Sequence, residues 1–356
     1  MKIGILTFHW ATNYGAILQS YALQTYLEKK GHDVYIINYR PQTYKKTLFR
    51  CFFNKKFWLF FSYLKEYIKE MKLDTFRQKY LKETILYGSL EELKRNAPQF
   101  DMYVCGSDQI WNPYLTTKGE GNKPTSAYFL DFGEATVKRI AYAVSFGCKE
   151  YPEEASDIAR KYISEFQAIS VREESGISIV KQLGYENPIK LPDPTLLLAH
   201  EDYLFENSTE ASTQKKAFVY ILRNEYKEAY KIISYLKKDY TIDSTNKFFD
   251  PNSVEDWVGS IKNASIVITN SFHGAVFSII FHVPFIVLQA SGRKAGMNDR
   301  FSTLLQALGL ENRVLDRIDL NSVNQLLNKE INWETVDVKL NALRKDVVSF
   351  FHIQGV

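Results

Sequence analysis

The chain is poor in cysteine: Cys51, Cys105 and Cys148 are the only three in 356 residues, and no two form a C-x-x-C pair. That excludes a disulfide framework and a cysteine-based zinc site, and it fits a reducing cytosol. Long apolar runs are missing as well. The longest, Phe57 to Leu64, falls far short of the roughly 20 residues that a bilayer-spanning helix needs. The opening Met-Lys-Ile-Gly-Ile-Leu-Thr reads as a strand entering a polar turn, without the apolar centre of a signal peptide. Excess charge of one sign is also lacking. The net charge of +4 is too small for this length to argue for a nucleic-acid partner. No G-x-G-x-x-G occurs, which disfavours a dinucleotide site, and no G-x-S-x-G, which leaves nucleophilic Ser-His-Asp chemistry unsupported. His9, His32, His200, His282 and His352 show no metal-ligand spacing. No metal or organic cofactor is expected.

What is present is an alternation of short β-branched runs and helical patterns over a length that exceeds one ordinary core. Residues 3–8 read as a buried strand, 16–29 as a helix with Gly31 just past its end, and 34–39 as a second strand. This βαβ unit implies a parallel, Rossmann-like sheet. Further strands are expected at 101–105, 140–146 and 169–171, with helices at 153–167 and 175–183. A second half opens near residue 215. It has strands at 217–222, 240–242, 265–269 and 285–288, and helices at 225–237, 253–262 and 301–309. The expected fold class is α/β, with two Rossmann-like domains facing a cleft. The domains are placed at 1–197 and 198–332, and a helix in 333–356 returns to the first.

Residues 44–82 are of a different kind. Lys45, Lys46, Arg50, Lys55, Lys56, Lys65, Lys69 and Lys72 interleave with Phe49, Phe52, Phe53, Phe57, Trp58, Phe60, Phe61 and Tyr63. Such an insertion suits either a peripheral contact with an anionic membrane surface or a helical hairpin covering its own core with lysine stems outside.

Four turns carry candidate chemistry. Foremost is Ser271-Phe272-His273-Gly274, where the strand 266–269 passes through a polar turn into an apolar helix. Ligands of open parallel sheets bind at the carboxyl ends of strands, and a helix start presents N–H groups there. The plain alternative is a helix cap with a satisfied histidine beside it. Next comes Gly106-Ser107-Asp108-Gln109, followed by Trp111 and Asn112. An aspartate at a strand end can act as a base, or else cap the next turn with Trp111 packed beneath. Arg172 follows a short strand, where it would hold an anion or merely pair with Glu173 at the surface. The loop Ser291 to Arg300 brings Arg293, Lys294 and Arg300 with two glycines, as a phosphate clamp or an ordinary connection. The turn Asn13-Tyr14-Gly15-Ala16 is small and polar enough for an anion or a sugar hydroxyl. His9 lies where it can reach the cleft.

Taken together these stretches resemble the polysaccharide pyruvyl transferase family. The match runs through Asn13 to Ala16 and Leu18 to Leu23, Gly106 to Asn112, Ser170 to Glu173, Asp193-Pro194-Thr195 and Ser271 to Gly274. The resemblance implies a fold of the two-Rossmann-domain GT-B type. It also implies transfer of the enolpyruvyl carbons of phosphoenolpyruvate onto two hydroxyls of a sugar, giving a cyclic pyruvate ketal and phosphate. It implies a lipid-linked oligosaccharide or other surface-glycan precursor as acceptor, as in capsule or exopolysaccharide synthesis. A cytoplasmic protein follows, with the basic insertion suited to the inner face of the membrane. His273 matches the family histidine and takes the acid–base role, with Asp108 offered as acceptor of the sugar hydroxyl's proton. Donor contacts are expected from Arg172, Ser271, Phe272, Gly274, Arg293 and Arg300. Acceptor contacts are expected from Asn13, Tyr14, Gly15, Gln109, Trp111 and Asn112. One departure is specific: family members carry an arginine two residues before the histidine, and here Ser271 stands there.

Two rival readings stand beside this one. The first is a GT-B glycosyltransferase using a nucleotide sugar, and the second a non-catalytic relative that binds glycan.

Overall fold

The computed structural model describes residues 1–41, 57–205, 214–222, 226–245, 251–289, 298–315 and 319–356. The cationic and aromatic positions between Lys45 and Lys56, and Arg293 with its loop, therefore lie outside the described residues. The chain divides into two compact α/β units, the first comprising residues 1–47, 74–198 and 342–356 and the second 48–73 and 199–341.

The first unit is built on β1 (Lys2–Leu6), β2 (Asp33–Ile36), β3 (Met102–Cys105), β4 (Lys138–Val144), β5 (Ala168–Val171) and β6 (Ile189–Lys190). They form one parallel sheet in the order β2-β1-β3-β4-β5-β6. Strands β1, β3, β4 and β5 are buried almost throughout, as continuous apolar runs in a sheet covered on both faces must be. The order reverses between β1 and β3, so the crevice at their carboxyl ends is the position where such a sheet takes its ligand. Two turns border it: the one entering the helix Tyr14–Lys29, and the one after β3 that carries Asp108.

The second unit holds β7 (Lys216–Tyr220), β8 (Thr241–Ser244), β9 (Ile266–Thr269), β10 (Phe285–Leu288) and β11 (Val314–Leu315). These form a parallel sheet in the order β11-β10-β9-β7-β8. Here the order reverses between β7 and β9. The turn leaving β9 is Asn270-Ser271, which enters the helix Phe272–Ile280.

The last helix, Trp333–Ile353, ends on the first unit, as expected. Val347, Phe350 and Phe351 join a core with Ile3, Ile5 and Tyr142, and the Phe351 ring stacks on Tyr142 at 5.1 Å. Arg344 then donates to the carbonyls of Leu196 and Leu198. The described part of the basic insertion is one continuous helix, Phe57–Tyr80. Two short elements had no sequence signal: β6 and β11 are two-residue edge strands, and so few residues show no period.

Candidate functional site

In the first unit, β3 delivers Gly106, Ser107 and Asp108 to the carboxyl edge. Asp108 is held in a left-handed backbone conformation, φ 71°, which costs a non-glycine residue about 1 kcal/mol or more. The reason is a bridge to the neighbouring strand. The Asp108 carbonyl accepts from Ser145 N–H at 2.9 Å and from Ile110 N–H at 2.7 Å, while Ser107 Oγ donates to the Ala143 carbonyl at 2.8 Å. The carboxylate is thereby turned to the edge, where part of it meets solvent.

Behind Asp108 lies a buried ionic cluster. Arg172 Nη1 donates to Asp193 at 2.5 Å, Nη2 to Asp108 at 3.5 Å, and Nε lies 3.9 Å from Glu173. Burial pulls the Arg172 pKa down, but Asp193, Asp108 and Glu173 outweigh it and hold the group above its ordinary value. Asp193 is satisfied on all sides, accepting from Thr195 N–H at 3.0 Å and Thr195 Oγ1 at 2.7 Å, with Ser107 Oγ at 3.5 Å. Glu173 accepts from Ser145 Oγ at 2.7 Å and Phe146 N–H at 2.9 Å. Arg172 is thus neither a surface ion pair nor a cation presented to an anion. One guanidinium faces three carboxylates, so the patch is electronegative and suits hydroxyl groups better than a phosphate.

Several expected acceptor contacts are displaced by packing. Trp111 is fully buried; its indole N–H donates to the Tyr128 carbonyl at 2.9 Å and its ring stacks on Phe129 at 5.1 Å. It is core, because so large an apolar ring gains more under the turn than above it. Tyr14 and Gly15 are buried in the first turn of their helix. Asn13 Oδ1 accepts from Gly15 N–H at 2.9 Å and Ala16 N–H at 3.3 Å, so it caps the donors a ligand would have used. His9 is also buried. Its Nδ1 meets the Thr7 carbonyl at 3.2 Å and its Nε2 the Asn38 side-chain oxygen at 3.3 Å. Burial, helped by the nearby Arg77 charge, lowers its pKa to about 4. Gln109 and Asn112 remain half-buried at the edge, joined by an Asn112 Nδ2 to Gln109 Oε1 hydrogen bond of 2.9 Å.

In the second unit the tetrad starts a helix as its sequence implies. Ser271 is the N-cap, its Oγ accepting from Gly274 N–H at 3.4 Å and its own N–H donating to Thr269 Oγ1 at 3.0 Å. Asn270 ties the turn to the end of β7: its Oδ1 accepts from Leu222 N–H at 2.7 Å and its Nδ2 donates to the Leu222 carbonyl at 3.3 Å. Gly274 is required by close approach. A Cβ there would lie 2.5 Å from Thr269 Oγ1, so any side chain would lift the helix off β9. His273 is consequently fixed in the first turn, beside Phe272, whose ring it meets edge-on at 5.4 Å. Arg300, from the helix Asp299–Leu308, lies over the same ring, its guanidinium 5.4 Å from the Phe272 centroid. A histidine, a helix N-terminus and a guanidinium therefore gather around Phe272, and the guanidinium and the helix dipole bring positive charge to this turn.

Sequence reasoning gave Asp193 and Glu173 no role in the site. The Asp193-Pro194-Thr195 turn signals a local cap, but nothing in it announces a partner 21 residues back. Among the described residues no group of three or more His, Cys, Asp or Glu side chains is placed to hold a metal ion, and no helix is long and apolar enough to cross a membrane.

Two parallel sheets with helices between their strands, each with a candidate turn at the point of strand reversal, define a two-Rossmann-domain protein of the GT-B class. Residues 13–291 match the polysaccharide pyruvyl transferase family, and the chain belongs to that family. Among solved structures it is similar to a putative UDP-N-acetylglucosamine 2-epimerase from Listeria monocytogenes. That match has a TM-score of 0.55 and 10% identity over 96% of this chain and 90% of the other. It is likewise similar to the UDP-GlcNAc 2-epimerase of Methanocaldococcus jannaschii, with a TM-score of 0.53 and 12% identity over 99% and 100%. A third likeness is to S. aureus MnaA in its UDP co-structure, at 0.52 and 11% over 95% and 90%. At these identities the likeness is one of fold. No curated protein sequence matches the chain.

Proposed function

We propose that this transferase moves the pyruvyl group of phosphoenolpyruvate onto two hydroxyls of a sugar, galactose being the first candidate, in a lipid-linked or surface-glycan precursor. The product is a cyclic pyruvate ketal, and phosphate is released. The family supplies the transferase class and a glycan acceptor. The observation that carries the finer reading is the kind of charge gathered at each candidate turn. The Phe272 turn carries the Arg300 guanidinium and a helix N-terminus, and the Asp108 turn carries three carboxylates around one guanidinium.

Phosphoenolpyruvate is a polyanion and belongs with the cations. The N-terminus of the helix Phe272–Ile280 and the Arg300 guanidinium would hold it, which supplies the charge that Ser271 lacks. His273 would protonate the C3 methylene, leaving oxocarbenium character at C2; histidine is the side chain whose unperturbed pKa suits that role. One sugar hydroxyl attacks C2, phosphate leaves, and the second hydroxyl closes the ring, returning a proton to His273. Asp108, part-exposed and backed by Arg172, would accept the attacking hydroxyl's proton. Gln109 and Asn112 are the acceptor contacts that remain at the edge. Arg172 acts in this reading through Asp108, whose side chain its Nη2 holds in place at 3.5 Å.

A nucleotide-sugar glycosyltransferase has only the fold likeness behind it. Incubation with phosphoenolpyruvate and a galactose-containing lipid-linked acceptor tests the choice. A product heavier by a pyruvate ketal, with equimolar phosphate, supports the proposal. Nucleotide release from a nucleotide sugar, with no ketal, rejects it in favour of glycosyl transfer. Glycan binding with neither product leaves a binding protein.

A further inference from the structure

Gln109 and Asn112 lean over a glycine that the mechanism above does not use. Gly147 follows β4 in a left-handed conformation, φ 65°. A Cβ built there would lie 2.7 Å from Gln109 Oε1, 2.8 Å from Asn112 Nδ2 and 2.9 Å from Gln109 Cδ. The two amides that bond to one another are thus seated directly on the Gly147 Cα. Nothing else in a protein is thin enough to serve as that seat.

Both sides of the seat are fixed. Asn112 is held by its cap bond, its Oδ1 accepting from Tyr114 N–H at 3.0 Å. Gly147 is held by the residue before it, since Phe146 N–H and Ser145 Oγ both donate to the buried Glu173 carboxylate. Gln109 Oε1 is committed to Asn112, which fixes the orientation of the amide. Among the described residues Gln109 Nε2 has no hydrogen-bond partner, and the side chain is part-exposed. A fixed, uncommitted amide donor therefore stands one residue from the Asp108 carboxylate, which accepts. A hydroxyl group needs both: a donor to its oxygen and an acceptor for its hydrogen.

We propose that Gln109 is a specificity-determining residue that reads an acceptor sugar hydroxyl through Nε2, and that Gly147 is its positioning residue. The inference rests on the transferase reading for its substrate class but is separable from it by binding. In this reading Gln109 contacts the acceptor and not the donor, so donor parameters should not follow it.

The test compares the full-length wild type, Gly147→Ala, Gln109→Ala and the double variant. The readouts are kcat and separate KM values for phosphoenolpyruvate and a galactose-containing oligosaccharide, together with calorimetric binding of that oligosaccharide alone. Gly147→Ala and Gln109→Ala should each raise the acceptor KM and Kd about tenfold, as loss of one hydrogen bond does, with the donor KM within twofold. The double variant should be no worse than Gln109→Ala, because removing the amide removes what the new methyl displaces. Folding of each is checked by thermal melting, and Gln109→Ala decides the matter if Gly147→Ala does not fold. Unchanged acceptor KM and Kd in folded Gln109→Ala overturn the inference, as do losses that multiply in the double variant or a wild type that binds no sugar. A wild type that binds the sugar but makes no ketal overturns the transferase reading alone; a weaker Kd in the variants then still supports the role of Gln109.

Discussion

Arg172 Nη1 lies 2.5 Å from the Asp193 carboxylate, and both side chains are almost wholly removed from solvent. A buried pair of this kind is weak evidence of net stabilisation, yet breaking it leaves a charge with nowhere to go. Asp193→Ala should lower the unfolding free energy by about 3–5 kcal/mol, read from urea melts. Arg172→Ala should cost at least as much, because three carboxylates would then face one another. A loss below about 1 kcal/mol in both would mean that the cluster is not an ionic unit. Donor affinity in an Arg172 variant is informative only once its folding is shown.

His273 occupies the first turn of its helix, buried beside Phe272, while the close approach to β9 is made by Gly274. His273→Ala should cut turnover by at least about 100-fold, the lower range for loss of an acid–base group, while the melting temperature stays within a few degrees. A collapse of folding with proportionate activity in the surviving fraction would assign the side chain to structure instead.

Arg300 is the described cation beside the helix start. Arg300→Ala should raise the KM for phosphoenolpyruvate by about 10- to 100-fold, the worth of one charge-assisted hydrogen bond, and leave the acceptor KM alone. Arg300→Lys should recover part of it, since a lysine keeps the charge and the contact with Phe272 but not the planar fork. Equal donor KM values in wild type and Arg300→Ala would remove this residue from the site.

The buried His9 makes a pH prediction. Its pKa is about 4 in the folded chain and near 6.5 unfolded, so between these values the unfolded state binds the extra proton. Stability attributable to His9 is therefore full above pH 6.5 and falls as pH drops toward 4, by an amount of order 2–3 kcal/mol. Glu83, 3.7 Å away, is raised by burial and contributes a slope of opposite sign, so the difference between wild type and His9→Gln is the useful quantity. Wild type should lose stability faster than His9→Gln over that range; parallel curves would show that His9 titrates normally.

Much of the fold was legible because its strands are buried on both faces and read as continuous β-branched runs, each followed by a helical period. The runs 266–269 and 285–288 recur as β9 and β10, and 101–105 as β3. A helix start was legible where the cap is local, at Ser271, whereas the first helix starts at Tyr14 and not at 16 because Asn13 caps it. Misreadings share one cause. Tyr14, Trp111 and His9 sit in polar turns by sequence, but the turns lie over a core that takes their rings. Arg172 reads as an anion holder or a surface partner of Glu173, yet it is buried against Asp193, and Glu173 beside it accepts from Ser145.

The sequence by itself determined the tetrad as a strand-to-helix turn, the parallel α/β class and the family motifs, since each depends on residues within a few positions of one another. Only the tertiary structure decided which charge each site carries. That depends on Asp193 meeting Arg172 and on Arg300 meeting Phe272, as the seating of Gln109 depends on Gly147, contacts between segments 21, 28 and 38 residues apart. Sheet order creates those meetings, and no local pattern encodes sheet order.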